Sequence, residues 1–285
     1  MALRLRRPEP ADAPVLGDIC YRAFKTIAEA HGFIPDFPSA EVAIGMMGRL
    51  AQNNAIYGVV AEDGGRLVGS NFLAEHDAIS AVGPITVDPA VQNEGAGRAL
   101  MGAVLRRAEE TGAPGVRLVQ AGYHMRSLSL YLKLGFEARE HLTCLQGPAI
   151  GKAIPGCRVR PATMEDLAAC NALCARIHGA TRGGELAAAI DQGAARVVER
   201  AGRITGYASA IAFFGHAVGE TNDDLKALLG AAEAFGGPGV LVPTRNGELM
   251  RWCLAEGLRA AQSLTLMSLG LYNEPAGAWL PSVLY

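Results

Sequence analysis

Two glycines, a glutamine and an arginine lie close together in the stretch VQNEGAGRAL, residues 91–100. An apolar run that ends at Val87 precedes the stretch, and residues with the spacing of an amphipathic helix follow it. Glycines before a helix let the backbone approach a ligand closely, and the free N–H groups of a helix N-terminus attract anions. The stretch therefore indicates a loop that binds a phosphate or a similar anion.

Two common phosphate loops do not fit this stretch. A Walker loop needs a Lys-Ser or Lys-Thr pair after its last glycine, and no such pair occurs here. A dinucleotide loop needs a third glycine at the position of Leu100, and it follows the first strand of its domain, whereas four predicted strands precede this loop. The pattern that does fit is Gln-x-x-Gly-x-Gly, formed by Gln92, Gly95 and Gly97.

The elements that must position this loop follow from the hydrophobic pattern of the first half. A strand comes first, then a helix from about Asp12, and then a hairpin around Gly64–Gly65. A strand over residues 80–87 leads into the loop, and a helix over about residues 98–110 follows it. Another strand, helix and strand complete the half, with the sequences GVRLVQ, MRSLSLYLKL and HLTCLQG. This order predicts an α/β domain, mixed and α+β-like, with a central sheet flanked by helices.

The same pattern occurs twice in the chain, because four blocks of the first half recur in the second half in the same order. The matched blocks are residues 7–16 and 160–169, 59–69 and 197–206, 115–136 and 239–258, and 142–147 and 264–270. A segment rich in glycine and proline, residues 147–156, separates the halves. We therefore predict two tandem domains of one fold, at residues 1–150 and 151–285.

Composition narrows the possible functions. The chain has 285 residues, half of them hydrophobic, so it can bury a core, and its net charge of −2 without a long basic run argues against a nucleic-acid partner. No apolar run approaches the ~18 residues of a membrane span, and no apolar segment follows the basic N-terminus, so we expect a cytoplasmic protein without a membrane partner. The cysteines and histidines show no metal-ligand spacing, and Cys170 and Cys174, one helical turn apart, favour buried packing.

Together with a second motif, the loop resembles the GNAT superfamily of N-acetyltransferases. The pyrophosphate loop of that family is Gln/Arg-x-x-Gly-x-Gly/Ala after a strand that ends in a Val-x-Pro-like corner, which is similar to ITVDPAVQNEGAGRAL here. A late helix of the family carries Asn-x-x-Ala-x-x-Leu-Tyr-x-Lys-x-Gly-Phe, and HMRSLSLYLKLGF at residues 124–136 matches it from Leu130 onward. His124 replaces the asparagine and Ser127 the alanine. The resemblance covers essentially the whole first half, and with its repeat the chain resembles a tandem member with a degenerate C-terminal copy.

The resemblance implies an acyltransferase that moves an acetyl group from acetyl-CoA, its co-substrate, to a primary amine of a small molecule or peptide. It implies that backbone groups of residues 85–87 bind the pantetheine arm, that the loop binds the pyrophosphate, and that Tyr131 protonates the departing CoA thiolate. The implied cofactor-binding residues are Ile85, Thr86, Val87, Gln92, Asn93, Glu94, Gly95, Ala96, Gly97, Arg98 and His124. The base that deprotonates the acceptor amine stays open among Glu75, His76 and Asp77, with Glu75 as our first candidate, and each also fits a solvated turn.

The second half lacks the residues that would hold the cofactor. The stretch HAVGETNDDLKALL stands where the phosphate loop would be, and Asp223 and Asp224 at the predicted helix start would repel a pyrophosphate. Cys253 occupies the position of Tyr131, and we expect a packed cysteine rather than a nucleophile. The sequence therefore predicts a copy that keeps the fold without the cofactor chemistry.

The C-terminal segment, residues 271–285, is rich in apolar and aromatic side chains. We expect it to be ordered, with the second half forming one wall of the acceptor cleft and the carboxylate of Tyr285 as an alternative base. Two alternatives to an enzyme also remain at this point. One is a non-catalytic acetyl-CoA-binding sensor or scaffold, and the other is a structural pair of domains that binds no CoA.

Overall fold

The computed structural model describes residues 3–284, and its contacts divide the chain into two compact units, Met1–Val116 and Arg117–Tyr285. The first unit holds the strands β1 (Leu3–Arg6), β2 (Ile56–Asp63), β3 (Arg66–Ala74), β4 (Ile79–Val82) and β5 (Thr86–Val87), and the helices α1 (Ala13–Ala30), α2 (Ala40–Gln52) and α3 (Ala96–Glu110). The second unit holds β6 (Gly115–Ala121, whose first two residues precede the boundary), α4 (Met125–Lys133), β7 (Glu137–Gln146), β8 (Arg158–Pro161), α5 (Leu167–His178), α6 (Gly183–Asp191), β9 (Arg196–Arg200), β10 (Arg203–Ala208), β11 (Ala217–Gly219), α7 (Asn222–Ala231), β12 (Val240–Pro243), α8 (Gly247–Ala255), β13 (Arg259–Gly270) and β14 (Ala278–Leu280).

In the first unit the strands lie in the order β1-β2-β3-β4, and β5 also pairs with β3. The β2–β3 hairpin turns at Gly64 and Gly65, both at positive φ, as the sequence predicts. Helices α1 and α2 pack on the face of the sheet that carries Val60 and Phe72. Helix α3 packs on the opposite face, where the side chain of Asn71 contacts that of Met101.

The strand predicted over residues 80–87 is interrupted by a β-bulge. Val82 pairs with Leu73 and Thr86 pairs with Ser70, so four residue steps on this strand face three steps on β3. The extra residue takes residues 84 and 85 out of the ladder, whereas the N–H of Gly83 still donates to the carbonyl of Phe72 at 2.9 Å. The prediction of one continuous strand is wrong at this point, and the Gly-Pro pair at residues 83 and 84 is the sequence signal for the break.

In the second unit the repeats exchange strands. One sheet has the order β6-β13-β7-β12, and β13 and β12 both pair antiparallel with β7. Thus β13, from the second repeat, lies between two strands of the first repeat, and β7, from the first repeat, lies between two strands of the second. The boundary predicted near residue 150 separates the two sequence repeats. The compact units divide elsewhere, between residues 116 and 117, so they do not test that boundary and it stays a prediction.

The internal repeat is visible in matching ion-pair networks. Arg6 binds Asp12 and Glu62, each at 2.7 Å, and Arg160 binds Asp166 and Glu199 at the same distances. The first matched block pairs Arg7 with Arg160, because each is followed by a proline, and this pairing is wrong by one residue. The structural counterpart of Arg160 is Arg6, the last residue of β1.

The C-terminal segment packs on the five-stranded sheet β14-β11-β10-β9-β8. Strand β14 pairs with β11, and Trp279 and Leu280 are buried, so the prediction of an ordered tail is confirmed as far as Leu284. Tyr285 lies outside the described residues. Within residues 3–284, no helix has the length and apolar character needed to cross a bilayer.

Candidate active site

The glycine-rich loop opens directly into α3, and the helix has no capping side chain at its start. Gly95, the residue before the helix, has a φ of +96°, and Asn93 also has a left-handed backbone at +73°. The N–H of Ala99 donates to the carbonyl of Gly95 at 3.0 Å, so the N–H groups of the preceding three residues have no acceptor within the helix. Left-handed residues in such a loop curve the backbone so that successive N–H groups converge, as in an anion-binding nest.

The approach to this loop is open at Gly95. A Cβ added to Gly95 would meet no atom within 4 Å, so the glycine faces open space and is not packed against another element. Of the other predicted loop residues, Ala96 is buried. The rest are exposed or half-buried, namely Gln92, Asn93, Glu94, Gly97 and Arg98. An uncapped helix N-terminus with an open approach is the geometry that anions occupy in proteins.

Two side chains fix the path of the chain between β5 and the loop. Asp88 is buried, accepts from the N–H of Ala90 at 3.0 Å, and pairs with Arg22 at 3.1 Å. Burial alone would raise the pKa of Asp88, but the bonds from Arg22 and Ala90 outweigh it and hold the pKa below its ordinary value. Gln92 donates from Nε2 to the carbonyl of Val87 at 3.1 Å, so its side chain connects the loop to β5. The sequence motif identifies Gln92, but the role of Asp88 depends on Arg22, 66 residues away.

Residues 85–87, which are predicted to bind the pantetheine arm through their backbone, differ in secondary structure. Thr86 and Val87 form β5, and Thr86 is buried with its hydroxyl 3.3 Å from that of Ser70. Ile85 lies in the bulge and is outside the ladder. Among the described residues, β5 pairs with β3 and with no other strand. The backbone groups on its second edge are therefore not used in the sheet ladder.

The equivalent position in the second repeat is filled by a carboxylate from the chain itself. Helix α7 starts with a capping box, in which Asp224 accepts from the N–H of Thr221 at 2.9 Å. Asp224 is fully buried and also accepts from Thr205 at 2.6 Å and from Arg200 at 2.9 Å. The negative charge and the donors at this helix start are already matched, so a pyrophosphate has no comparable place there.

Replacing Asp224 with alanine is expected to lower the free energy of unfolding by about 2–4 kcal/mol, because it leaves the buried Thr205 hydroxyl, the half-buried Arg200 guanidinium and the Thr221 N–H without their acceptor. The neighbouring Asp223→Ala is the control, since its side chain is 54% exposed and the change should stay within about 0.5 kcal/mol. Urea unfolding of both variants measures this difference. Equal stability of the two variants would show that Asp224 does not hold the start of α7.

Tyr131 and His124 belong to the second unit, on and next to α4. Tyr131 is buried at 6% exposure, and its ring packs edge-on against Phe136 at 6.1 Å. Burial raises the pKa of Tyr131 to about 12, and a hydrogen bond with Ser127 opposes that rise. His124 caps the helix, with Nδ1 accepting from the N–H of Ser127 at 3.3 Å. Asn246 caps α8 in the same way, which explains why the two residue types exchange at this position.

The cysteines singled out from the sequence are packing residues. Cys253, at the position equivalent to Tyr131, is fully buried, and burial raises the pKa of its thiol to about 12. Cys170 and Cys174 lie on α5 in a hydrophobic core, and burial raises the pKa of Cys170 to about 12 as well. A buried thiol with a raised pKa is a poor nucleophile. The prediction of packed cysteines is confirmed.

Glu75 lies just beyond the end of β3 in the first unit and forms a bidentate ion pair. Its two oxygens accept from Nε and NH2 of Arg107 at 2.7 and 3.1 Å. The neighbouring His76 and Asp77 approach each other at 3.5 Å. Sequence reasoning did not include Arg107, which is on α3 and 32 residues away. Each carboxylate oxygen keeps a second lone pair, so Glu75 can accept a proton while the ion pair with Arg107 stays in place.

Comparison with known proteins agrees with this geometry. Residues 24–136 match the model of the acetyltransferase (GNAT) family, which spans the loop and the helix of Tyr131. No protein of curated function matches the sequence. Residues 24–136 are therefore a domain of the GNAT acetyltransferase family, and the resemblance read from the two motifs is confirmed.

Solved structures match the whole chain. A structure from Pyrococcus horikoshii named as an acetyltransferase is 16% identical with a TM-score of 0.75, over 98% of this chain and 93% of that one. A GCN5-related N-acetyltransferase from Sphaerobacter thermophilus is 18% identical with a TM-score of 0.63, over 95% and 96%. A tandem GNAT protein from the clavulanic acid biosynthesis pathway is 14% identical with a TM-score of 0.56, over 94% and 98%. The chain thus has the tandem GNAT fold, and the predicted fold class is confirmed.

Proposed function

We propose that the chain is an N-acetyltransferase with one acetyl-CoA site, formed by the first repeat, and a primary amine of a small molecule or peptide as acceptor. This proposal rests on the difference between the starts of α3 and α7, which occupy equivalent positions in the two repeats. Helix α3 begins at an open glycine with no capping side chain, whereas α7 begins with a capping box in which the buried Asp224 accepts from the N–H of Thr221. Of these two equivalent helix starts, the start of α3 is therefore the one that suits an anionic cofactor.

In this proposal the chain binds the cofactor mainly through its backbone. The N–H groups of residues 93–98 bind the pyrophosphate, and Gly95 is required because a Cβ would enter the approach path. The backbone of residues 85–87 binds the pantetheine arm along the unpaired edge of β5. Gln92 and Asp88 hold the loop in place through the bonds described above.

Acetyl-CoA, when bound, supplies the acetyl group and a thiolate leaving group. Tyr131 is the proposed acid, because its phenol stays protonated when its pKa is near 12 and can donate to a developing negative charge on sulfur. His124 fixes the start of the helix that carries this phenol. Glu75 is the proposed base, and its carboxylate would accept the amine proton on a lone pair that the bonds from Arg107 do not use.

The proposal is tested by incubating the protein with acetyl-CoA and a panel of primary amines, and measuring free CoA thiol and acetylated product. At least one amine should give product in proportion to the thiol released. Binding of acetyl-CoA without product from any amine class would favour a non-catalytic sensor. Absence of binding would reject the function altogether.

The pH dependence should show that Tyr131 does not titrate in the working range. Because burial favours the neutral phenol, the proton is held until the pH rises toward about 12. The ratio of wild-type kcat to Tyr131→Phe kcat should therefore be constant from about pH 7 to 10. A ratio that collapses with a midpoint below pH 10 would contradict the assigned role.

A further inference from the structure

Strand β13 of the second repeat contacts the chain just before and just after α4, the helix that carries Tyr131. At the start, the N–H of Gly122 donates to the carbonyl of Ser263 at 2.8 Å. At the end, a Cβ on Gly135 would lie 3.3 Å from Cδ1 of Leu269. The helix of the first repeat is therefore positioned between two contacts from the second.

The contact at the start of the helix is very close. A Cβ on Gly122 would lie 2.6 Å from the hydroxyl oxygen of Ser263, closer than Cβ atoms approach in proteins, and 3.0 Å from its carbonyl oxygen, which is tighter than most Cβ contacts. Gly122 is not among the glycines at positive φ, so an alanine there fits the backbone and only Ser263 opposes it. The glycine is needed for close approach of the two repeats and not for an unusual backbone conformation.

The equivalent contact in the second repeat is built differently. There the N–H of Thr244 donates to the carbonyl of His141 at 2.8 Å, and the Thr244 hydroxyl lies 2.7 Å from that of Thr143. Thr244, the counterpart of Gly122, therefore has room for its side chain. The helix that follows Thr244 carries Cys253 at the position of Tyr131. The tight packing at Gly122 is thus found on the repeat that carries the tyrosine.

From these contacts we infer that the second repeat positions the acid of the first repeat, with Ser263 as a positioning residue that sets the start of α4. This inference rests on the proposed role of Tyr131. The inference also assigns a structural role to the second repeat, which lacks the phosphate loop. Its strand β13 lies next to β6 in the sheet and supplies the contacts on either side of α4.

The inference is tested with Gly122→Ala, which forces Ser263 and the start of α4 apart by a few tenths of an ångström. Hydrogen exchange of residues 125–133, followed by mass spectrometry without substrate, should accelerate by about tenfold or more. With substrate, kcat should fall about tenfold while the acetyl-CoA affinity changes less than threefold, since a displaced catalytic group affects the chemical step. Unchanged exchange and unchanged kcat would overturn the inference.

Matched variants separate positioning from general destabilisation. Gly45→Ala is the control, because its added Cβ meets only the flexible end of Arg49, at 3.6 Å. Adding Ser263→Gly to Gly122→Ala removes the 2.6 Å contact and should restore most of the exchange protection and rate. A double variant no better than Gly122→Ala would reject Ser263 as the positioning residue.

Should Gly122→Ala fail to fold, Leu269→Ala tests the same inference from the other end of the helix. It removes the contact at Gly135, and exchange in α4 should then rise about threefold; no change would overturn the inference. Hydrogen exchange of α4 is measured without substrate, so its result does not depend on turnover. A wild-type protein that acetylates no amine would reject the proposed function, and the exchange result would still be valid. Normal turnover with unaltered exchange in the variants would defeat the inference alone.

Discussion

Replacing Gly95 with valine is expected to lower the affinity for acetyl-CoA by at least about 100-fold, equal to about 2.7 kcal/mol. A β-branched residue does not adopt the φ of +96° found at this position, and its side chain would occupy the open space before the N–H groups of α3. Both effects remove the convergent donors that an anion needs. Isothermal titration calorimetry of the variant measures the loss.

The control for this variant is Gly112→Val at the other end of the same helix. Gly112 has a φ of +70° and also faces open space, so the substitution imposes comparable backbone strain away from the loop. Its acetyl-CoA affinity should stay within about threefold of wild type. Equal losses in the two variants would show that strain, and not the loop, explains the result.

Tyr131→Phe is expected to lower kcat by about 100-fold and to change acetyl-CoA affinity by less than about twofold. The substitution removes only the hydroxyl, so the ring can keep its packing against Phe136 while the proton donor is lost. Single-turnover measurement of product formation isolates the chemical step. The separation of kcat from affinity is the signature of a group that acts in the transition state.

Cys253→Ala is the matched control, since Cys253 occupies the same position in the second repeat and is fully buried. It should lose some stability through the small cavity and keep the wild-type kcat. Wild-type turnover in Tyr131→Phe would mean that Tyr131 is a packing residue and that water or another group protonates the thiolate.

Much of the fold follows from local patterns in the sequence. The hairpin at Gly64–Gly65 and the helix after the loop each depend on residues a few positions apart, and the tandem repeat follows from four matched blocks in the same order. The candidate loop is recognisable for the same reason, because its glycines and glutamine are contiguous in the chain. Patterns of this kind are sufficient to predict which elements exist and what a loop can bind.

The strand exchange could not be predicted from these patterns. The segments LTCLQG and LTLMSLG are similar in sequence, so either can pair beside β6 or β12 without changing the local hydrophobic pattern. Their similarity is a signal that the strands can substitute for one another, but the choice depends on contacts more than 100 residues apart. The same holds for Glu75, whose ion pair with Arg107 is set by the packing of α3 on β3.

A calorimetric titration of the wild-type chain with acetyl-CoA is the most direct test of the proposed function. We expect one site per chain, since the start of α3 is open and the equivalent start of α7 holds the buried carboxylate of Asp224. The Gly95→Val variant should show no measurable site in the same titration. Two equivalent sites in the wild type, or a single site that persists unchanged in Gly95→Val, would rule out a single acetyl-CoA site at the loop of the first repeat.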